Sequence, residues 1–434
     1  MSNRNSPCLW TSVPQVCPAP CDRYKHASCA FRGNIYLLGG RKKHSLRDFW
    51  KYNVARNEWI ELDCGGDQAP EELEEHSMVA HQGVLYVFGG LIDSAYSNSK
   101  SPLWPFDTVK ERWLHLQDQS SPSQEKDTCK HCHVMPSNRK GHSAVVMESS
   151  MYIYGGYIDM RGTSQEFWRL DLDTGTWSLL SNAPVGPGPR HSHSAMTHQD
   201  CMYLYGGLQG LKEQRDLWRW SFHSQAWSCI RASSGPSKLM GHSAVVYKDS
   251  MLLFGGGETQ SAPRNCLWRF NLTTLTWEKL PSLPGSIAPC RVHHSSVGLG
   301  PAFQPEPPST NAKETLMSNS LNNNKLRPFK NKCFPSRSST WEPGEDIELQ
   351  AVHTVKTKGL KDISPALKKT KQWKNCLTFE NQEAIGEVQE GELSAEEMED
   401  DLAHPMPDLL LVLGGRPLKE QGAISVWQMT LNES

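Results

Sequence analysis

The sequence has no long apolar run. Nothing in it approaches the roughly 20 residues needed to cross a bilayer. It also has almost no net charge: 45 Lys and Arg against 47 Asp and Glu leave −2. Neither nucleic acid nor a membrane surface is therefore expected as a partner of the whole chain. The first residues, MSNRNSPCLWTSV, lack the apolar core of a secretory signal, so the chain is read as cytoplasmic. Its 13 cysteines, odd in number and irregularly spaced, are then free thiols behaving as small apolar groups. There is no P-loop, no G-x-S-x-G and no H-E-x-x-H. Neither an enzyme nor a cofactor is expected.

What is present is tryptophan, 15 in all, at regular places. Gly-Gly pairs close short apolar runs at Gly39, Gly89, Gly155, Gly206, Gly255 and Gly414. The runs are IYLL, LYVF, MYIY, MYLY, MLLF and LLVL, as expected of strands buried on both faces. Thirteen residues before the first five pairs stand His26, His76, His142, His193 and His242. After them come two tryptophans nine apart: Trp50/Trp59, Trp104/Trp113, Trp168/Trp177, Trp218/Trp227 and Trp268/Trp277. Two residues past each first tryptophan is another large apolar or aromatic residue, such as Tyr52 or Phe270. The two thus share one face of a third strand. The second tryptophan opens a fourth strand.

Four strands per unit of about 50 residues, with Gly-Gly and spaced aromatics, resembles the kelch repeat. The resemblance covers about residues 8–300 and 408–434. It implies an all-β fold, a β-propeller whose blades bury their faces on one another. Five copies are intact. The sixth is split, for His294 precedes Gly414 by 120 residues rather than 13. Trp427 has no partner nine residues on, and Trp10 stands alone near the start. The expectation is six blades, the last closed by the N-terminal strand. In domain terms, residues 1–300 hold blades 1–5, the closing strand and the first strand of blade 6. Residues 301–407 are an insertion, and 408–434 finish the blade.

The insertion is expected to be disordered. Residues 301–374 carry 13 Lys/Arg and seven Asp/Glu, while residues 375–407 carry ten Asp/Glu and no Lys/Arg. LKKTKQWK, Leu367 to Lys374, offers a nuclear-localisation or acidic-partner segment, and the acidic run Glu396–Asp401 could fold back on it. The competing reading is a solvated loop. CKHCH at Cys129–His133 matches the haem-attachment pattern, but its ligands are too crowded for structural zinc, and a free loop with no metal is expected.

In a propeller, the loops between second and third strands and those between blades gather on one face. Here they vary in length, and recognition usually sits on variable loops of a rigid scaffold. Cations stand out there: Arg41, Lys42, Lys43 and Arg47 in blade 1, Arg416 and Lys419 in blade 6. Tyr157, Arg161, Arg215 and Arg264 lie in the others. A cationic rim suits an acidic peptide or a C-terminal carboxylate of a partner protein. The alternative is ordinary solvation. The histidines at the strand starts are read as structural, satisfying backbone groups near the channel.

The resemblance implies a protein-interaction role, as adaptor, scaffold or substrate receptor of a ubiquitin ligase. Actin binding is the alternative and a propeller enzyme the remote one. No BTB domain, F-box or elongin-docking box is recognisable in this sequence. The expected state is a monomer.

Overall fold

The computed structural model describes residues 7–92, 102–114, 135–181, 185–232, 234–303 and 408–430. Cys129–His133, the insertion from 304 to 407 and most of the loop at 116–139 lie outside the described residues. The described chain is all-β apart from one short 3-10 turn, Pro301–Phe303.

Six four-stranded antiparallel sheets follow one another. Blade 1 runs Ala27–Phe31, Asn34–Leu38, Phe49–Asn53 and Glu58–Leu62, in spatial order. Its first two strands are joined by Arg32-Gly33, both at positive φ, which suits the twist of a tight hairpin. Blade 6 is assembled from three parts of the chain. Ser295–Leu299 pairs with Leu409–Leu413, that strand with Val426–Thr430, and that in turn with Leu9–Val13. The closure by the N-terminal strand is thus present, with Trp10 opposite Met429.

The core is six wedges, one between each pair of neighbouring blades. Trp50, Tyr52 and Trp59 of blade 1 bury themselves with Leu411, Leu413 and Val426 of blade 6. Phe49 meets Phe106 and Trp113 of blade 2, and Phe167 meets Trp220 and Trp227 of blade 4. The tryptophans therefore serve blade-to-blade packing, as their period-two spacing predicts.

Two closed rings of main-chain hydrogen bonds lie at the loop end. In the inner ring the N–H of Glu75 donates to Lys25, Gly141 to Glu75, Ser192 to Gly141, Gly241 to Ser192, His293 to Gly241 and Lys25 to His293. All six bonds measure 2.7–3.0 Å. In the outer ring the second glycine of each pair donates to the next blade, beginning with Gly40 to the Leu73 carbonyl at 2.8 Å. This explains the pair. At Gly155 φ is +67°, and a Cβ there would stand 2.5 Å from the Arg190 carbonyl of the next blade.

The insertion leaves and rejoins a fixed stem. Leu299 pairs with Leu409, and the Asp408 carboxylate accepts the Ala302 N–H at 2.9 Å. Phe303 packs on Tyr247, 4.9 Å between ring centres, in the space that the missing side chain of Gly298 provides.

Candidate functional site

Most of the buried polar chemistry is spent on joining the blades. His26 Nε2 lies 2.9 Å from the Ser295 hydroxyl of blade 6, and His142 Nε2 lies 2.8 Å from Ser77. His193 meets Ser143 and His294 meets Ser243 in the same way. The expected backbone acceptor occurs at His242, which reaches the Tyr205 carbonyl at 3.2 Å. The usual partner is instead a serine hydroxyl of the preceding blade. Blade 1 has Ala27 at the serine position, so His76, facing it, lacks the hydroxyl partner and has the Leu38 carbonyl nearby instead.

A second set of buried polar groups escaped the sequence reading. Arg23 is wholly buried and grips both Asp48 oxygens at 2.7 Å, while Asp48 also accepts the Trp50 indole N–H. Arg139 with Glu166 and Arg190 with Asp216 repeat the arrangement. Burial pushes the Asp48 carboxyl up. The hydrogen bonds and charge of Arg23, with the Trp50 N–H, outweigh it and hold the group below its ordinary value. The signal was there to be found. The Arg stands three residues before the His and the acid two before the first Trp; in blades 2 and 5 both are replaced together, while blade 6 keeps Arg291 and sets the Ser425 hydroxyl, at 3.2 Å, in place of the acid. Blade 5 has Leu239 and Cys266 at these places, and blade 2 has Leu73 and Pro102.

A prediction follows from that covariation. Asp216→Cys alone strands a buried guanidinium and should cost about 3 kcal/mol. Adding Arg190→Leu, which copies blade 5, should restore stability to within about 1 kcal/mol of wild type. Urea midpoints of the two singles and the double test this. Additive losses would show that the pair does not act as a unit.

The variable loops sit on firm roots. Within each blade, the loop after Gly-Gly pairs with the segment leading to the first strand. Tyr24 and Arg41 exchange main-chain bonds of 3.0 and 2.8 Å, and Lys140–Tyr157, His191–Leu208 and Val292–Arg416 are paired likewise. In blades 3 and 4 the loops are themselves small hairpins, Tyr157–Ile158 with Gly162–Thr163 and Leu208–Gln209 with Lys212–Glu213. Their tips carry Met160 and Leu211, 100% and 97% exposed.

The nine candidate residues differ in their surroundings. Arg41 donates to Glu74 at 2.9 Å, and Ser45 donates to the same oxygen. Arg41 also lines a depression of about 450 Å³ with His44, Ser45, Glu71, Glu72 and Ile92. The blade 1 cations Arg41, Lys42, Lys43 and Arg47 thus belong to a loop whose neighbour in space is acidic. That neighbour, PEELEEH before His76, was not weighed in the sequence reading. Arg416 lies over the Tyr24 ring, 5.1 Å from its centre, which brings it to the root of the Arg41 loop. Arg264 is paired with Glu258 at 2.5 Å. Tyr157 meets His191 edge-on at 6.2 Å, and Arg161 sits exposed beside Met160.

Arg215 differs. It lines a second depression, of about 470 Å³, between blades 4 and 5, and Lys212, Arg231 and Lys238 line it too. Lys212, Arg231 and Lys238 are spread over separate loops and form no cluster in the sequence. No group of three or more His, Cys, Asp or Glu suited to a metal occurs among the described residues.

Six blades closed by the chain's own first strand, with buried polar groups that serve one another and variable loops at one end, define a β-propeller scaffold. The pattern that writes it agrees with known proteins. The family model described as the KLHDC2/KLHL20/DRC7 Kelch-repeats domain matches residues 4–135 and 125–302. The chain belongs to this kelch-repeat family. Human "Host cell factor 2" is 27% identical over 297 residues, 61% of this chain and 36% of that protein. Rat "Kelch domain-containing protein 3" is 26% identical over 243 residues, 51% of this chain and 59% of that one. The Drosophila melanogaster "Leucine-zipper-like transcriptional regulator 1 homolog" is 26% identical over 289 residues, 63% and 28% respectively. The chain therefore spans less than two thirds of the length of these relatives.

Proposed function

We propose that this chain is a non-enzymatic protein-interaction module that holds an acidic segment or chain end of a partner on the face where the variable loops gather. The observation that carries this reading is the exposure of cations and apolar tips on rigidly rooted loops. Arg161, Arg215, Met160 and Leu211 all face solvent there. The buried histidines and most buried arginines are meanwhile committed to holding the ring together. Rigid roots lower the entropy lost on binding, and exposed cations steer an acidic partner. In its finer form the reading is an adaptor or scaffold, and most specifically a substrate receptor for a ubiquitin ligase.

Affinity capture with quantitative mass spectrometry tests it, comparing wild type with the triple variant Lys43→Glu, Arg161→Glu, Arg215→Glu. At least one specific protein should fall about tenfold in the variant at an unchanged melting temperature. Co-recovery of a ligase subunit would support the receptor form. Equal recovery of every partner by both proteins would sink the reading.

A further inference from the structure

The two depressions on the loop face differ in charge. At blades 1 and 2 Arg41 is answered by Glu74, with Glu71 and Glu72 beside it. The groove between blades 4 and 5 is lined by Lys212, Arg215, Arg231 and Lys238, and by two carboxylates, Glu213 and Asp216. Asp216 is already spent, since Arg190 holds both its oxygens at 2.8 Å and the Trp218 indole donates to it. Among the described residues none of the four cations lies within ion-pair distance of a carboxylate. All four are exposed. One free carboxylate, Glu213, thus faces four free cations.

The groove is also built rather than incidental. The Tyr205 hydroxyl donates to the Pro236 and Ser237 carbonyls at 3.1 and 3.2 Å, fixing the far wall. Gln214 donates to Gly207 at 2.8 Å and its carbonyl accepts Leu239 N–H at 3.1 Å, tying the two walls together. Gly235 lies so close on Trp277 that a Cβ would be 2.7 Å from the indole. Leu217, Ile230 and Trp277 give the lining an apolar part, and Leu211, next in sequence to Lys212, is exposed. Its volume of about 470 Å³ holds a few side chains of a peptide.

Resting on the interaction reading above, we infer that this groove is the subsite for an internal polyanionic segment of the partner, with two or more side-chain anions beside an apolar residue. Several separated cations in a partly apolar lining match spaced anions along an extended chain better than one terminal carboxylate. Glutamate, aspartate and phosphoserine supply the same chemistry, as bidentate acceptors for Arg and point charges for Lys.

The test uses the full chain and fluorescein-labelled, C-terminally amidated decapeptides. One has four glutamates flanking a leucine, a second has glutamine for glutamate, and a third has phosphoserine. Fluorescence anisotropy should show binding of the first or third and not the second. Arg215→Glu with Lys238→Glu should weaken binding about tenfold or more, whereas Arg56→Glu with Arg112→Glu, exposed cations that do not line the groove, should leave it within about twofold. The tighter of the glutamate and phosphoserine peptides identifies the source of the anion. No binding of either anionic peptide, or equal binding by the groove variant, overturns the inference. If partners captured from lysate are lost with Lys42→Glu and Lys43→Glu, on the same face outside the groove, and kept with the Arg215/Lys238 variant, the interaction reading stands and the groove assignment falls.

Discussion

Removing residues 1–14 should lower the melting temperature of the whole propeller by more than about 10 °C. The segment is short but closes the ring. Leu9–Val13 covers the outer edge of blade 6 by pairing with Val426–Thr430. Trp10 is 4% exposed, packs 4.7 Å from Phe254 of blade 5, and donates its main-chain N–H to the Ser286 hydroxyl. Cys8 is buried beside it, and that burial pushes its thiol up to about 11. Loss of one buried tryptophan costs about 3–5 kcal/mol. Uncovering the Val426–Thr430 edge adds to that and leaves a strand open to pairing with other chains. For a domain of this size each kcal/mol is worth about 2–4 °C. Trp10→Ala should give a smaller loss, about 3–5 kcal/mol by urea denaturation, and shows the effect without deleting backbone. Calorimetry of the two variants decides it. An unchanged transition in the truncated protein would mean that the ring does not depend on its closing strand.

The blades were legible because each repeat records contacts with its neighbour. The 13-residue interval from histidine to glycine is the length of one hairpin. The contact it serves lies between blades, for a Cβ on Gly39 would sit 3.2 Å from the His76 ring. Selection on a contact repeated six times leaves a pattern that one sequence can show. The split blade was legible for the same reason, since Trp427 and Trp10 each lacked a partner that the other supplied.

The candidate site was legible only as a face. Arg41, Lys42 and Lys43 are conspicuous as adjacent letters, but charge acts in space, and the carboxylate that answers Arg41 is Glu74. Lys212, Arg215, Arg231 and Lys238 are inconspicuous in sequence and convene only once blades 4 and 5 stand side by side. His76 makes the same point inside the core. Its missing hydroxyl is written as Ala27, a residue with no meaning until blade 1 is known to be its neighbour.

Mild acid should unfold this protein well before its carboxylates titrate. Seven histidines are buried around the ring: His26, His76, His142, His193, His242, His293 and His294. Burial drives His26, His76 and His142 down to about 3 and His242 and His293 to about 4. It carries His193 and His294 well below the usual imidazole range, and in His26, His142, His193 and His294 the neighbouring arginine adds to the shift. In the unfolded chain each titrates near 6.5. Below that pH the unfolded state binds more protons than the folded state, so stability falls as pH falls. The stability these groups supply is complete above about pH 6.5 and is lost on the way down to their folded values near 3 to 4. At pH 5 each of the five histidines held near 3 to 4 contributes a loss of about 2 kcal/mol. Half of that five-fold sum already reaches the stability of an ordinary domain, about 5–15 kcal/mol. The paired carboxylates Asp48, Glu166 and Asp216, held below their ordinary values against burial by their arginines, begin to fail only in stronger acid. Tryptophan fluorescence should therefore show cooperative unfolding between about pH 6 and 4.5, and the urea midpoint should already drop between pH 7.5 and 6. A urea midpoint that stays constant from pH 7.5 to 5 would mean that the histidine ring takes up its protons in place, and that the serine hydroxyls facing it, as acceptors, hold the charged form as well as the neutral one.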